Sequence, residues 1–353
     1  ISKYWGVYLN DFMRLMGWNA NTNLTFGSFH IDIAPIIIVA FFTTLLVFGT
    51  KIGARVDGAL TILKIAIVVF IVVVGFFYIK AENFTPFIPP SQPASTVEGS
   101  SAVTGVMTQP LWQFATGMTP SVYGVPGILS GAALVFFAFI GFDVVATASE
   151  ETKNPHKNVP LGIGVGMLLI IVMYMLVAVV TTGMVSYADL AKQDSPSLAT
   201  AFELVGADWA AKIISFGIVL GLATVVMVLL LGLTRIVFAM SRDGLLPRGL
   251  SKTGKHGTPA ALQIVVGAVV ALVAAFFDIG VLSDMVNIGT LSAFTLVAIS
   301  IPIMRKKRPD LPRAFKMPGS PWIPILIAVA NFWLMLNLSV LTWIRFVVWL
   351  VVG

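Results

Sequence analysis

A short segment of the chain, residues 130–143, combines glycines, closely spaced aromatic residues and an acidic residue within one long apolar stretch. If a membrane helix unwinds around residues 139–141, it releases carbonyls at the end of its first half and amides at the start of its second. Such carbonyls accept hydrogen bonds from an ammonium, and helix N-termini suit a carboxylate, so a pair of interrupted helices can hold a zwitterion. The alternative is that Gly131 and Gly141 serve only close helix packing.

The composition defines the medium in which this segment must sit. The 353 residues are 58% hydrophobic and only 11% charged, whereas about a quarter of the residues in a soluble domain are charged. A soluble globular protein is therefore excluded. Because unpaired backbone groups are costly in lipid, the fold must be a helix bundle or a closed barrel. Because the apolar runs are long and do not alternate as barrel strands do, we predict an all-α polytopic membrane protein. The absence of cysteine excludes disulfides and thiolate chemistry.

Nine apolar windows approach the roughly 20 residues that a helix needs to cross a bilayer. They cover residues 32–48, 58–79, 127–148, 161–184, 211–240, 260–277, 281–304 and 322–338, and the last starts at Leu341. We interpret residues 1–353 as one transmembrane domain, with a long outer loop at residues 81–126.

The basic residues orient the bundle, because cytoplasmic loops carry an excess of Lys and Arg. One set of alternate loops, around residues 51–55, 153–157, 242–255 and 305–316, holds most of them; the opposite set holds Lys3, Arg14, Lys80, Lys192 and Lys212. This places the first residues on the outer side of a plasma membrane, so that an odd number of spans would precede Ile1 if the native N-terminus were cytoplasmic. Since the basic residues fall between apolar runs, we expect the lipid bilayer, and no nucleic acid, as partner.

Several motifs resemble one transporter family in the same order along the chain. Residues 136–143 and 146–155 resemble the sixth helix of the cationic amino acid transporter branch of the amino acid-polyamine-organocation superfamily. Residues 241–248 resemble the loop after its eighth helix, residues 282–291 its tenth helix, and residues 4–11 the outer end of its third helix.

This resemblance implies the leucine-transporter-type fold, with two inverted repeats of five helices (5+5) and two peripheral helices. Residues 1–16 then end the third helix, 32–80 form the fourth and fifth, 127–304 form the second repeat (sixth to tenth), and 321–353 form the eleventh and a truncated twelfth. On this alignment, we expect the first two spans and most of the third to be lacking from the printed sequence. In the family the first helix receives the substrate carboxylate, so we expect the printed chain not to transport by itself.

The resemblance also implies roles for residues of the substrate site. Carbonyls of Phe137, Ala138 and Ile140 should meet the substrate's ammonium, with Gly141 permitting the bend. Met227 resembles an eighth-helix position that lines the side-chain pocket, although ordinary core packing is the alternative. An apolar wall there favours neutral over cationic amino acids, because a buried ammonium side chain needs an acidic partner.

Lys64 lies inside the predicted span at residues 58–79. It either extends its ammonium to the interface or is desolvated, so that its charge responds to neighbours and to water. In proton-coupled bacterial members of the resembled family, a fifth-helix lysine occupies the position of a sodium ion, and Lys64 fits that position. We therefore expect the proton as coupling ion and no cofactor, although Thr224 and Thr234 leave sodium coupling open.

A set of charged residues lies near the predicted cytoplasmic ends of the helices. Its members are Glu150, Glu151, Arg235, Arg242 and Asp243. They form either an inner gate of ion pairs or a set of solvated loop charges.

The sequence thus predicts a secondary active amino acid transporter, with proton-coupled symport of neutral amino acids by alternating access. Transport of cationic amino acids, amino acid exchange and a non-transporting membrane scaffold are the alternatives. An intramembrane enzyme is disfavoured, because His30, His156 and His256 lie in loops without metalloprotease spacing.

Overall fold

The computed structural model describes most of the chain. The described residues are 1–18, 22–26, 29–48, 53–96, 105–142, 145, 152–193, 196–251, 259–311, 313, 317 and 319–352. Helices dominate these ranges, as the apolar composition predicts, and the described strands form only two small antiparallel pairs.

The chain divides into two compact units. The first contains Ile1–Phe84 and Leu169–Ile279, and the second contains Thr85–Leu168 and Gly280–Gly353. The boundary between residues 168 and 169 falls inside a single helix, Pro155–Met184.

Most of the described residues of the first unit lie in helices. They are α1 (Ser2–Leu15), α2 (Ile33–Phe48), α3 (Gly53–Phe76), the second part of α6 (Pro155–Met184), α7 (Tyr187–Ala191), α8 (Leu198–Leu204), α9 (Asp208–Arg242) and α10 (Ala260–Phe276). A hairpin of β1 (Asn23–Phe26) and β2 (Phe29–Asp32) connects α1 to α2, with Asn23 opposite Asp32.

The second unit carries the remaining helices. They are α4 (Leu111–Thr116), α5 (Gly124–Val135), the first part of α6, α11 (Ile279–Lys307, of which Ile279 belongs to the first unit), α12 (Trp322–Leu336) and α13 (Val340–Val352). The short strands β3 (Gln92–Pro93) and β4 (Ser121–Val122) pair before α5.

Every predicted apolar window contains an apolar helix. Among the described residues, three helices are long and apolar enough to cross a membrane: Pro155–Met184, Asp208–Arg242 and Ile279–Lys307. Shorter apolar helices occupy the other windows: Ile33–Phe48, Leu60–Phe76, Gly124–Phe139, Ala260–Phe276, Trp322–Leu336 and Val340–Val352.

The ends of several elements differ from the hydropathy windows. Helix α6 begins at Pro155, before the predicted start at residue 161, because polar residues such as His156 and Lys157 form its first turns. Helix α9 likewise extends from Asp208 to Arg242. Asp32 was expected to begin a span, but it lies in β2, and α2 starts at Ile33.

Glycines allow close helix packing within the first unit. A Cβ atom added at Gly217 of α9 would lie 2.5 Å from Ile67 Cδ1 of α3, and one added at Gly267 of α10 would collide with Thr43 of α2. Small residues at such crossings let backbones approach each other in lipid, where van der Waals packing drives helix association.

The end of α1 is tied to α8 by polar contacts. The Arg14 guanidinium donates to both carboxylate oxygens of Glu203, at 3.0 and 2.8 Å. Ser197, which caps α8, donates to Asp11 at 3.0 Å. Charge-assisted bonds of this bidentate form fix orientation as well as distance.

We predict that Gly217→Ala destabilises the protein. The added methyl group overpacks the contact with Ile67, and such overpacking costs about 1–3 kcal/mol. Thermal unfolding in detergent should show a lowered melting temperature.

Gly166→Ala is the matched control, because a Cβ there meets no atom of the described residues within 4 Å. Alanine favours a helix over glycine by about 1 kcal/mol, so this variant should unfold at or above the wild-type temperature. Equal melting temperatures for the two variants would contradict the packing argument.

Candidate functional site

The helix predicted to unwind is interrupted at the expected place. Helix α5 ends at Val135 and continues as a 3-10 helix over Phe136–Phe139. Ile140 then adopts an extended conformation, with φ −66° and ψ 135°. Regular α-helical geometry therefore stops inside the apolar window at residues 127–148, and the chain has a non-helical turn there.

Gly141 completes the interruption with φ of 125°. Residues with a side chain rarely adopt this conformation, whereas glycine does so readily. A Cβ at this position would meet no atom of the described residues within 4 Å. The requirement for glycine is therefore conformational, and close packing does not account for it.

The carbonyl group of Phe137 already accepts one backbone hydrogen bond. The Phe137 oxygen was expected to be released, but it accepts the Ile140 N–H at 3.3 Å. A carbonyl oxygen has two lone pairs and can accept from two donors. Ala138 is exposed, and Phe137 and Ile140 are half-buried. The binding of an ammonium by these carbonyls stays a prediction.

Helix α11 contacts the interrupted segment through two residues that sequence reasoning did not single out. The Asn287 side-chain amide donates to the Ala133 carbonyl at 3.2 Å. The Phe294 ring packs against Phe136 and Phe142, with ring centroids 6.1 and 5.2 Å apart. A polar residue inside an apolar window was the available signal for Asn287. No sequence signal identifies the ring contacts.

Lys64 lies on α3, and its aliphatic chain crosses a glycine of α9. A Cβ added at Gly221 would lie 3.3 Å from Lys64 Cγ and 3.8 Å from Cε. The side chain is half-buried. Glycine at this crossing therefore makes the space in which the lysine stem runs.

The two threonines considered as sodium ligands donate to their own helix. Thr224 Oγ1 donates to the Gly221 carbonyl at 2.9 Å, and Thr234 Oγ1 donates to the Leu231 carbonyl at 2.8 Å. Their lone pairs stay available as acceptors.

Met227 lies in the core of the first unit. Its side chain is buried in one apolar cluster with Trp5, Phe42 and Leu230. This placement agrees with ordinary core packing, and its role in lining a substrate pocket stays a prediction.

The charges considered for an inner gate are only partly described. Glu150 and Glu151 lie outside the described residues, as does Asp143, the acidic residue of the segment at residues 130–143. Arg242 Nε lies 3.5 Å from Asp243 Oδ1, with side chains 64% and 62% exposed, and such solvated pairs contribute at most about 1 kcal/mol. Arg235 is half-buried, two turns before Arg242 in α9. A gating role for these charges stays a prediction.

The family model for amino acid permeases matches residues 6–352 of this chain. The chain therefore belongs to the amino acid permease family, within the superfamily that the sequence motifs indicate, and it is a multi-pass membrane protein. The matched family is one of permeases, which are a class of transporter.

Three curated relatives define its closer similarities. A branched-chain amino acid permease (BcaP) of Bacillus subtilis is 39% identical over 361 residues, which cover 100% of this chain and 70% of that protein. A methylthioribose transporter of Bacillus subtilis is 37% identical, over 90% of this chain and 61% of that protein. Cationic amino acid transporter 4, vacuolar, of Arabidopsis thaliana is 35% identical, over 79% and 42%. The chain thus spans less than two thirds of the second and third proteins.

We predict that Gly141→Ala disrupts the interrupted segment. Alanine at φ 125° costs about 1–3 kcal/mol of backbone strain, and amino acid binding by the purified protein should weaken by roughly tenfold or more. Equilibrium binding of a labelled neutral amino acid measures this effect.

Gly131→Ala serves as control, because Gly131 lies in α5 and a Cβ there also meets no described atom within 4 Å. The two glycines therefore differ in conformation and not in available space. Unchanged binding by Gly141→Ala would show that the bend does not form part of the site.

Proposed function

We propose that the protein is a secondary active transporter that carries neutral amino acids across the plasma membrane together with protons, by alternating access. The observation that carries this proposal is the interruption at residues 136–141 in a member of the amino acid permease family. The family membership supports an amino acid as the substrate class, and the interruption supplies groups that suit its amine.

The amine is the part of the substrate that this segment suits best. A buried ammonium requires acceptors, because its transfer from water is otherwise costly. Carbonyls of Phe137, Ala138 and Ile140 lie at the C-terminal end of a helical half, where the helix dipole adds partial negative charge. These carbonyls offer that environment without a formally charged side chain.

The proposed architecture is the inverted 5+5 repeat of the resembled superfamily. In it, α1 ends the third helix, α2 and α3 are the fourth and fifth, and α5 begins the interrupted sixth. The excess of basic residues in one set of loops supports an outer location for the first residues.

Two grounds favour neutral substrates over cationic ones. The first is the expectation from the resembled family that Met227 lines the side-chain pocket, where an apolar wall gives no counter-charge to a cationic side chain. The relative that matches along the whole chain is named for branched-chain amino acids. The plant relatives, named for cationic amino acids, make cationic substrates the second candidate.

Lys64 is the proposed proton-coupling residue. Its stem lies against Gly221, so a change in its charge or position acts directly on the crossing of α3 and α9. We infer that the charged ammonium holds these helices together and that proton release loosens them. A lysine in partly desolvated surroundings is suited to such a change of protonation.

Transport by the protein expressed from its complete reading frame tests the proposal. Proteoliposomes should accumulate labelled leucine under an inward proton gradient, and an imposed sodium gradient should add nothing. Labelled arginine should enter more slowly than leucine, since the apolar pocket wall proposed at Met227 gives its side chain no counter-charge.

Three other outcomes would each reject part of the proposal. Faster entry of arginine would support the cationic alternative, and sodium-driven uptake would exclude proton coupling as proposed. Failure of all amino acids to enter would favour a scaffold without transport.

Lys64→Met should abolish the response to a proton gradient. Leucine accumulation under that gradient should fall to the value measured without it, because methionine keeps the length of the stem but cannot bind a proton. Counterflow of labelled leucine between equal pH values reports whether the variant is folded.

Lys212→Met is the matched control, because Lys212 is an exposed lysine near the start of α9. It should retain gradient-driven accumulation. A Lys64→Met protein with full gradient-driven uptake would exclude Lys64 as the coupling residue.

A further inference from the structure

We propose that Asn287 is a positioning residue that holds the interrupted helix open. It fixes the last turn of α5, so that the segment over Phe136–Phe139 leaves α-helical geometry at a defined residue. The link to substrate affinity rests on the proposed function, whereas the effect on the helix does not.

The contact joins two fully enclosed groups. Asn287 Nδ2 donates to the Ala133 carbonyl at 3.2 Å across 154 residues of sequence. Asn287 is 0% and Ala133 1% exposed. Ala133 belongs to an apolar cluster with Ile288 and Leu291 of α11. Water therefore has no access through which to replace this hydrogen bond.

The position of the Ala133 carbonyl explains why it needs such a donor. The last four carbonyls of an α-helix have no partner within that helix, and Ala133 lies in the last turn of α5, which ends at Val135. In lipid, an unsatisfied carbonyl costs several kcal/mol, and neighbouring helices must supply the missing donors. Asn287 supplies one from α11.

Without that donor, the segment has another way to satisfy the carbonyl. In a continuous α-helix the N–H of Phe137 would donate to the carbonyl four residues earlier, which is that of Ala133. The Asn287 amide gives this carbonyl a partner that does not require the helix to continue. Its removal therefore favours extension of α5 through Phe137 and closure of the interruption.

Helix α11 also contacts the segment on both sides of the interruption. Phe294 lies seven residues after Asn287, on the same face of the helix. Its ring packs against Phe136 before the turn and against Phe142 after it. Asn287 and Phe294 thus act together on the segment from one rigid helix.

Asn337 provides a closely matched control in the same unit. Its side-chain amide donates to the Trp333 carbonyl at 2.8 Å, at the end of α12. Asn337 is 5% exposed, and the Oδ1 atoms of Asn337 and Asn287 both lack a hydrogen-bond partner among the described residues. The two asparagines therefore differ in that Asn287 donates to another helix, whereas Asn337 donates within its own helix.

Hydrogen–deuterium exchange in the purified protein tests the proposal directly. Asn287→Leu should slow exchange of the amides of residues 136–142 by at least about threefold, because closure into an α-helix protects them. Asn337→Leu should leave exchange of these amides at the wild-type rate. Unchanged or faster exchange in Asn287→Leu would overturn the proposal, whatever its transport activity.

Binding of labelled leucine at equilibrium then tests the consequence for the site. Asn287→Leu should weaken binding by about tenfold or more, and Asn337→Leu should bind as wild type even if it unfolds at a lower temperature. If wild-type protein binds no amino acid but the exchange result holds, the positioning role stands and the proposed function fails. Equal weakening of binding in both variants would reject a specific role for Asn287.

Two further variants keep the proposal testable if Asn287→Leu does not fold. Asn287→Asp retains a donor only while its carboxyl is protonated, so exchange over residues 136–142 should be slower than in wild type at the same high pH and should match wild type at low pH. Phe294→Leu keeps an apolar side chain but loses both ring contacts, and exchange over residues 136–142 should slow in it as well. An Asn287→Asp protein without this pH dependence would count against the hydrogen bond as the cause.

Discussion

Backbone hydrogen bonding in hydrocarbon is the constraint on which this structure depends. Lipid offers no donors or acceptors, so each helix must satisfy its own main chain or borrow partners from neighbours. The interruption at residues 136–141 departs from regular α-helical bonding, and the surrounding chain compensates. Ile140 donates back to Phe137, and Asn287 donates to Ala133. The proposed binding groups and the groups that support them therefore lie at the same helix end.

Glycine serves two different purposes in the two units. In the first unit, Gly217 and Gly221 remove volume, so that Ile67 and the stem of Lys64 fit between α3 and α9. In the second unit, Gly141 has open space among the described residues but a conformation that other residues avoid. The glycines of α9 make room for side chains, whereas Gly141 allows a backbone conformation that other residues avoid.

The sequence predicts where the helices lie better than it predicts the contacts between them. Apolar windows locate the spanning helices because lipid exposure marks whole segments, and Gly141 after an aromatic run indicates the interruption. Polar helix ends, as in α6, escape hydropathy, because it does not distinguish a polar turn of helix from a loop. The bond from Asn287 to Ala133 joins residues 154 positions apart. Such pairing follows from the fold, and no local pattern encodes it.

The ion pair at the end of α1 links two segments far apart in sequence. Arg14 donates two hydrogen bonds to Glu203, and Ser197 at the start of α8 donates one to Asp11. Two attachment points remove the freedom to pivot that a single contact would leave. A tilt of α1 would therefore move α8 with it, and with α8 the residues between α7 and α9.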